Sequence, residues 1–328
     1  MQVRFWGVRG SCPAPPASDE IASRLAEALW RLGRDSNRPD LHDRVAISRW
    51  VADLPLHVRG ITGGNTPCVE MRTDAGDLFI IDFGTGIRSL GNLLMDGEFG
   101  WGRGHAHCFL SHYHWDHIQG WPFFKPAYVT GNHLEVYARH PDVEGHLARQ
   151  QQAPFFPPAS WDDMRANFTY HQLDDQPGTL CDGRVRFSSL ELNHPSRAYA
   201  YRFEADGKVF VYASDGAYFN LTDQALQPYV DFFRGADLLI FDAQFTLTES
   251  YEKSTWGHSS SVVGVELATL AAVKRLALFH HDPSADDAAL HHLLHVGEQY
   301  ANLMTDTMQQ DAYGCQIMLA REGMRIEL

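Results

Sequence analysis

The stretch Ser111-His112-Tyr113-His114-Trp115-Asp116-His117 constrains this chain more than any other part of it. It places three imidazoles and one carboxylate within six residues, directly after the strand-like Cys108-Phe109-Leu110. Four potential ligands therefore sit on one short loop at a strand's carboxyl end. Ordinary loop residues do not crowd in this way by chance. Imidazole together with carboxylate favours zinc, manganese or iron over calcium and magnesium, whose preferred ligands are oxygens.

The chain around this loop has 328 residues, within reach of one large α/β domain with insertions. Its longest apolar stretches, such as Leu78 to Phe83 and Leu238 to Phe241, fall far short of the roughly 20 residues that span a bilayer. No membrane segment is expected. The amino terminus enters strand-like sequence at once and carries no export signal. Five cysteines are scattered, odd in number and never paired as Cys-x-x-Cys, which argues against a disulfide framework or a thiolate zinc site. Reduced thiols in a cytoplasm are the expectation. A formal net charge of −14 repels a polyanion at long range, so long RNA or DNA is not the expected partner.

β-Branched and aromatic runs predict strands at Gln2 to Trp6, Cys68 to Thr73, Leu78 to Phe83, Cys108 to Ser111 and Leu134 to Tyr137. A later set covers Val185 to Leu192, Tyr199 to Glu204, Val209 to Ser214, Leu238 to Asp242, Leu276 to His280 and Gln316 to Ala320. Apolar residues recurring at three and four predict helices at Asp19 to Leu32, Gly86 to Met95, Ser259 to Lys274 and Ala285 to Ala301. Strands outnumber helices in each half, which suits two sheets packed face to face with helices outside better than a doubly wound sheet. Two segments, about 13–60 and 126–178, read as insertions that could form a lid or a dimer contact.

The histidine-rich loop resembles the signature of the metallo-β-lactamase superfamily, and further motifs occur in the family's order. A strand ending in Asp and Gly is matched by Ile80-Ile81-Asp82-Phe83-Gly84, and a later strand-end histidine by His194 in Leu192-Asn193-His194-Pro195. A bridging aspartate is matched by Asp215 in Ser214-Asp215-Gly216, and a last histidine by His280 in Leu276-Ala277-Leu278-Phe279-His280. The resemblance implies a single-domain α/β fold, a four-layer αββα sandwich, around two divalent ions, zinc or manganese first and iron as the further candidate. It implies one ion held by His112, His114, His194 and Asp215, and a second by Asp116, His117, His280 and Asp215. His281 competes for the last position and is otherwise a neighbouring, supporting group. Asp82 is expected to brace the histidine loop by hydrogen bonds.

The run Phe241-Asp242-Ala243-Gln244-Phe245, with Trp256-Gly257-His258-Ser259-Ser260 after it, looks like the region carrying a catalytic histidine in the RNase Z and cyclic-phosphodiesterase branch. The match departs at Phe241-Asp242-Ala243-Gln244, where RNase Z has His-Glu-Ala-Thr. By this resemblance Asp116 and His258 take part in catalysis, His258 as general acid or charge stabiliser on the leaving oxygen. The segments Trp6-Gly7-Val8-Arg9-Gly10-Ser11 and Gly63-Gly64-Asn65-Thr66 also resemble the branch and would line the site's mouth.

The expected reaction is hydrolysis of small or cyclic nucleotide phosphodiesters by a hydroxide bridging the two metals. No Gly-rich arm for transfer RNA is recognisable, so a small-molecule diester is the expected partner, and the branch's frequent dimers make a homodimer an assembly to test. The alternatives are a hydrolase of lactones, thioesters, β-lactams or sulfate esters, a di-iron redox protein, which would carry Glu in place of His114, and a metal-bearing scaffold without turnover.

Other signals carry less. Gly84-Thr85-Gly86 lacks the third glycine of a dinucleotide fingerprint, and Asp82-Phe83-Gly84 lacks the other kinase motifs. His291, His292 and His295 read as a solvated helix face, and His133, His140 and His146 as surface or pocket-rim residues. Phe123, Phe124, Phe155 and Phe156 read first as core, with a platform for a base as the alternative.

Overall fold

The computed structural model describes residues 1–154, 161–308 and 314–328, with only the helix backbone for 305–308. Continuous apolar strand sequence shapes its architecture. In Leu78-Phe79-Ile80-Ile81, Phe79 and Ile81 point into one core while Leu78 and Ile80 point into another, so the strand is buried on both faces. In Leu238-Leu239-Ile240-Phe241 the same alternation sends Leu238 and Ile240 inward, and Leu239 and Phe241 outward under helices. A sheet that is apolar on both faces must be covered on both.

The strands of the first sheet are β1 (Gln2–Gly7), β2 (Cys68–Arg72), β3 (Leu78–Ile81), β4 (His105–Leu110), β5 (His133–Ala138) and β6 (Asn167–Gln172). The second sheet holds β7 (Gly178–Leu180), β8 (Val185–Leu192), β9 (Ala198–Ala205), β10 (Lys208–Ala213), β11 (Leu238–Asp242), β12 (Arg275–Phe279) and β13 (Gln316–Leu319). The chain then returns to pair β14 (Arg325–Glu327) with β1, giving the orders β14-β1-β2-β3-β4-β5-β6 and β13-β12-β11-β10-β9-β8-β7. Phe5, Phe79, Phe109, Phe203, Phe210 and Phe279 fill the space between the sheets.

The helices are α1 (Ser18–Arg34), α2 (Arg44–Asp53), α3 (Leu56–Arg59), α4 (Gly86–Leu94), α5 (Trp115–Ile118), α6 (Val143–Gln150), α7 (Asp223–Phe233), α8 (Leu247–Glu252), α9 (Ser261–Leu270) and α10 (Asp287–Met308). Ile87, Leu90 and Leu94 of α4, with Val143 and Leu147 of α6, cover the first sheet. Leu226, Val230, Val263, Leu267, Leu290 and Leu293 from α7, α9 and α10 cover the second. The fold is a four-layer αββα sandwich, as the balance of strands over helices predicts.

The two expected insertions differ. Residues 13–60 form α1 to α3, and α1 buries none of its residues and leaves Ile21, Leu25 and Leu29 exposed. Arg24 nevertheless ties α1 to the start of α10 through a 2.6 Å ion pair with Asp287. The segment 126–178 is not a simple excursion, because it supplies β5 and β6, which extend the first sheet in parallel register from β4. Its turn-rich and Pro-rich sequence hides β6, where aromatic residues alternate with polar ones at a sheet edge. Among the described residues no helix is long and apolar enough to cross a membrane.

Strand direction gathers the expected ligands at one edge of the sandwich. β3 and β4 run parallel, as do β10, β11 and β12. Two antiparallel steps make β1 run with β3, and β8 with β10. The carboxyl ends of all seven therefore open on one rim, the usual place for a site in such sheets.

Candidate metal centre

On that rim the chain turns away from three strands through left-handed residues. Asp82 after β3, Asp215 after β10 and His280 after β12 have φ of 60°, 61° and 59°. A β-carbon makes this conformation costly, by about 1–3 kcal/mol, and it persists where surrounding contacts hold it. Asp82 shows those contacts. Fully buried, its carboxylate accepts hydrogen bonds from the Ser111 N–H and hydroxyl at 2.8 Å, and from His117 Nδ1 and the Tyr212 hydroxyl at 2.7 Å. It braces the start of the histidine loop against both sheets.

Four of the histidines have their outer ring nitrogen engaged, which leaves the inner one with a bare lone pair. His117 donates from Nδ1 to Asp82, His280 from Nδ1 to Gln244 Oε1 at 2.9 Å, and His194 from Nδ1 to the Gly257 carbonyl at 2.9 Å. Ser111 Oγ, its own proton committed to Asp82, accepts from His112 Nδ1 at 3.0 Å. The inner atoms then converge. His117 Nε2 faces His280 Nε2 at 3.3 Å, and His194 Nε2 faces His114 Nδ1 at 3.1 Å. Asp215 lies between the groups, with Oδ2 3.1 Å from His117 Nε2, and Oδ1 3.3 Å from His280 Nε2 and 3.8 Å from His112 Nε2. Asp116 Oδ2 is 3.1 Å from His280 Nε2 and 3.3 Å from His117 Nε2, and it accepts from the Ser11 N–H at 2.8 Å.

This donor set fits cations. Among the described residues His112 Nε2 is buried with no hydrogen-bond partner, and the His117 and His280 lone pairs point at each other, an arrangement that needs a proton or a cation between them. His112, His114 and His194 form one group of close ligand atoms, and Asp116, His117 and His280 another. Asp215 joins His112 and His117 in a third, as a bridge would. Electrostatics agree. Burial disfavours charge on His117, yet Asp215, Asp116 and Asp82 hold its pKa well above that of a free imidazole. Burial likewise opposes the Asp215 carboxylate, but His280, His117 and His112 keep its pKa well below the usual range. A field that would hold a proton on a buried imidazole also attracts a metal.

His258 stands beside this cluster. Its ring lies 4.9 Å from that of His280, and its Nδ1 is 2.7 Å from Asp242 Oδ2 at the end of β11. Burial opposes its charged form, but Asp242, with Asp215 and Asp116 adding, raises its pKa to about 9. The other Asp242 oxygen accepts from the backbone N–H of Gln244 at 3.0 Å and of Ser259 at 3.4 Å, which fixes the carboxylate. The residue opening α9 is Ser260, whose hydroxyl accepts from Val263 N–H, so His258 is not that helix's cap. His281 turns away. Its Nε2 donates to the Ala320 carbonyl at 2.9 Å, and burial pushes its pKa down to about 3, so it joins strand ends as a neutral ring instead of supporting the cluster.

The sequence alone assigns no individual role to Asp242, Gln244 or Ser11. The Phe241-Asp242-Ala243-Gln244 run is legible as a departure from the RNase Z pattern, and its aspartate, at a strand's end, is the available signal. The first glycine-rich segment borders the site, since a β-carbon on Gly10 would lie 2.5 Å from the His280 ring, whereas Gly63 and Gly64 face Glu322, Ala14 and Pro15. Of the phenylalanines, Phe124 is core and Phe123 is 53 % exposed, while Phe155 and Phe156 lie outside the described residues. His140 and His146 pack around Tyr113.

A cavity of about 500 Å³ opens over the cluster, lined by Ser11, Tyr113, His114, Trp115, Asp116, Asp215, His258 and His280. A second, of about 590 Å³, shares Tyr113 and Trp115 with it and is otherwise lined by Ile118, Pro122 and Phe123 and by the polar Gln119, His146, Arg149 and Gln150.

Comparison with known proteins agrees with the geometry. A ribonuclease Z from Haloferax volcanii is 24% identical over 321 residues, covering 81% of this chain and 93% of that protein. The Bacillus subtilis metallo-beta-lactamase fold protein YhfI superposes with a TM-score of 0.59 at 18% identity, covering 99% of this chain and 98% of its own. The short form of human tRNase Z gives 0.59 at 16% identity, covering 100% of this chain and 99% of its own. A diphosphatase of the PhnP family gives 0.58 at 18%, covering 100% and 97%. Residues 101–281, more than half of the sequence, match the family described as the beta-lactamase superfamily domain, and the chain belongs to that family of metal-dependent hydrolases.

Proposed function

We propose that the protein is a binuclear metal-dependent phosphodiesterase acting on small phosphodiesters, cyclic nucleotides among them. The observation that carries this reading is the His258–Asp242 pair, an imidazole with Nδ1 2.7 Å from a buried carboxylate, on the edge of the cluster and facing the same cavity. His112, His114, His194 and Asp215 would hold one ion, and Asp116, His117, His280 and Asp215 the other. A metal pair, when bound, supplies an activated water and neutralises charge on phosphoryl oxygens.

The chain's own residues do the rest. Asp116, fixed by the Ser11 N–H, orients the attacking water from the cavity wall. Asp242 keeps the His258 Nδ1 proton in place, so Nε2 is the atom that gives its proton to the leaving alkoxide. An alkoxide leaving from phosphorus needs that proton far more than the stabilised leaving group of a thioester does, which favours phosphodiesters over thioesters. The likeness to a relative named ribonuclease Z supports phosphodiester chemistry, and the net charge of −14 favours a small diester over a long polyanion.

The test is a metal-replete preparation assayed on adenosine 2′,3′-cyclic phosphate, whose leaving group is an alkoxide, beside a lactone, a thioester, a β-lactam and a sulfate ester. Turnover highest on the diester and dependent on His258 supports the reading. A higher rate on any of the others, with His258→Ala unimpaired, overturns it.

A further inference from the structure

The motif that supplies the clustered histidines also supplies two aromatic side chains that the cluster does not use. His112, His114, Asp116 and His117 turn inward, whereas Tyr113 and Trp115 line the neighbouring cavity of about 590 Å³. Tyr113 is held in place. Its ring stacks on His146 of α6 at 4.4 Å and meets His140 edge-on at 5.2 Å. Trp115 is not. It is 82 % exposed, and among the described residues its indole nitrogen makes no hydrogen bond and its ring meets no other aromatic ring. An exposed tryptophan at the junction of two cavities presents a large apolar face to water, which marks a binding surface.

The rest of the wall is mixed, with Gln119 and Gln150 beside apolar residues. Ile118 and Pro122 are buried behind it, Phe123 offers a half-exposed ring, and Arg149 of α6 stands at the rim beside His146, 2.8 Å from its Nδ1. The cavity's size suits one ring system with its sugar, and its walls combine the apolar faces of Trp115, Ile118, Pro122 and Phe123 with polar groups from Gln119, His146, Arg149 and Gln150. Tyr113 and Trp115 line both this cavity and the one over the cluster, so the two adjoin.

We infer that this cavity is the subsite for a planar aromatic group borne by the substrate, a nucleobase, with Trp115 and Phe123 as its stacking faces. This rests on the phosphodiesterase reading above and makes the substrate a base-bearing diester in preference to a sugar or alkyl diester. Stacking tolerates any base, because every base has a π-face, so the subsite distinguishes base from no base more than one base from another.

The experiment compares adenosine 2′,3′-cyclic phosphate with ribose 2,3-cyclic phosphate, which has the same reacting group and no base, using metal-replete enzyme and phosphorus NMR. The subsite predicts a kcat/KM at least about tenfold higher for the nucleotide, a ratio that Trp115→Ala and Phe123→Ala each reduce severalfold and Trp115→Phe largely restores. Elemental analysis of each variant checks that the metal content is unchanged. Equal kcat/KM for the two substrates, or a ratio untouched by both alanine variants, overturns the inference. Binding separates it from the reading beneath it. AMP and ribose 5-phosphate are titrated into the same protein by calorimetry. AMP binding more tightly, and dependent on Trp115, keeps the subsite even if neither cyclic diester is turned over, in which case it is the phosphodiesterase reading that fails. Equal affinity for AMP and ribose 5-phosphate removes the subsite whatever the activity.

Discussion

Asp242→Asn tests whether the proposed acid is tuned by its carboxylate. The substitution keeps the shape and leaves an oxygen for the Gln244 and Ser259 N–H groups, but it places a neutral amide against His258 Nδ1 where a carboxylate now lies at 2.7 Å. Burial then acts with little opposition, and the pKa falls from about 9 to the free imidazole value of about 6.5 or below. That change is worth about 3 kcal/mol between the two protonation states. In the metal-free protein at pH 7.5 the protonated fraction drops from nearly all to about one tenth. An amide N–H facing Nδ1 also favours the tautomer with its proton on Nε2, a neutral and poorer acid.

The sign is set by the raised pKa. In the parent, acid function is present at low pH and lost as pH rises through the folded value, so the variant loses it at lower pH. Stability runs the same way. The charged pair contributes fully below about pH 6.5 and nothing above about pH 9, so parent and variant differ in Tm in acid and converge in alkali. Bound cations repel the imidazolium and lower both limbs, so the difference between the proteins is the measured quantity. The assay is the pH profile of kcat/KM on a small diester, with metal content checked at each end. An alkaline limb in the same place in both proteins would refute the proposed tuning.

Other perturbations separate holding a metal from using it. His114→Ala or Asp215→Ala should abolish tight metal binding and turnover together, as read by elemental analysis and diester hydrolysis. His258→Ala should retain its metal and lose about 10²–10⁴ in kcat, with a rate equal to the parent's contradicting its role. Asp82→Ala leaves four buried donor contacts without an acceptor, so metal affinity should fall about 10–100-fold and Tm should drop, by calorimetry. Chelation should lower the parent's Tm, since cations bound only to the folded cluster stabilise it by mass action; an unchanged Tm would speak against that linkage.

The parts of this arrangement legible in the sequence are those carried by local pattern. Leu78-Phe79-Ile80-Ile81 and Val185 to Leu192 announce strands through side-chain type alone, and a histidine-rich loop after a strand announces a ligand cluster. Where pattern is weak, sequence and structure part. β6 alternates aromatic and polar residues at a sheet edge and lies beside Pro-rich sequence, so it reads as part of an insertion. α7 escapes notice because Pro228 interrupts its periodicity, although it packs on the second sheet through Leu226, Val230 and Phe233. The resemblance selects His280 over His281 by its strand-end position but does not show where the second ring goes. The left-handed turn at His280 directs its ring to the cluster and sends the next ring to the Ala320 carbonyl, and only three-dimensional geometry shows that. The pairing of Asp242 with His258 spans 16 residues and two elements, and no local rule links them.

The most direct test of the central claim is anomalous diffraction from crystals grown with zinc or manganese. The account predicts two peaks roughly 3.5–4 Å apart, one against His112, His114 and His194, the other against Asp116, His117 and His280, with Asp215 reaching both. A map without peaks at full metal loading, or with metal bound away from these side chains, would contradict it.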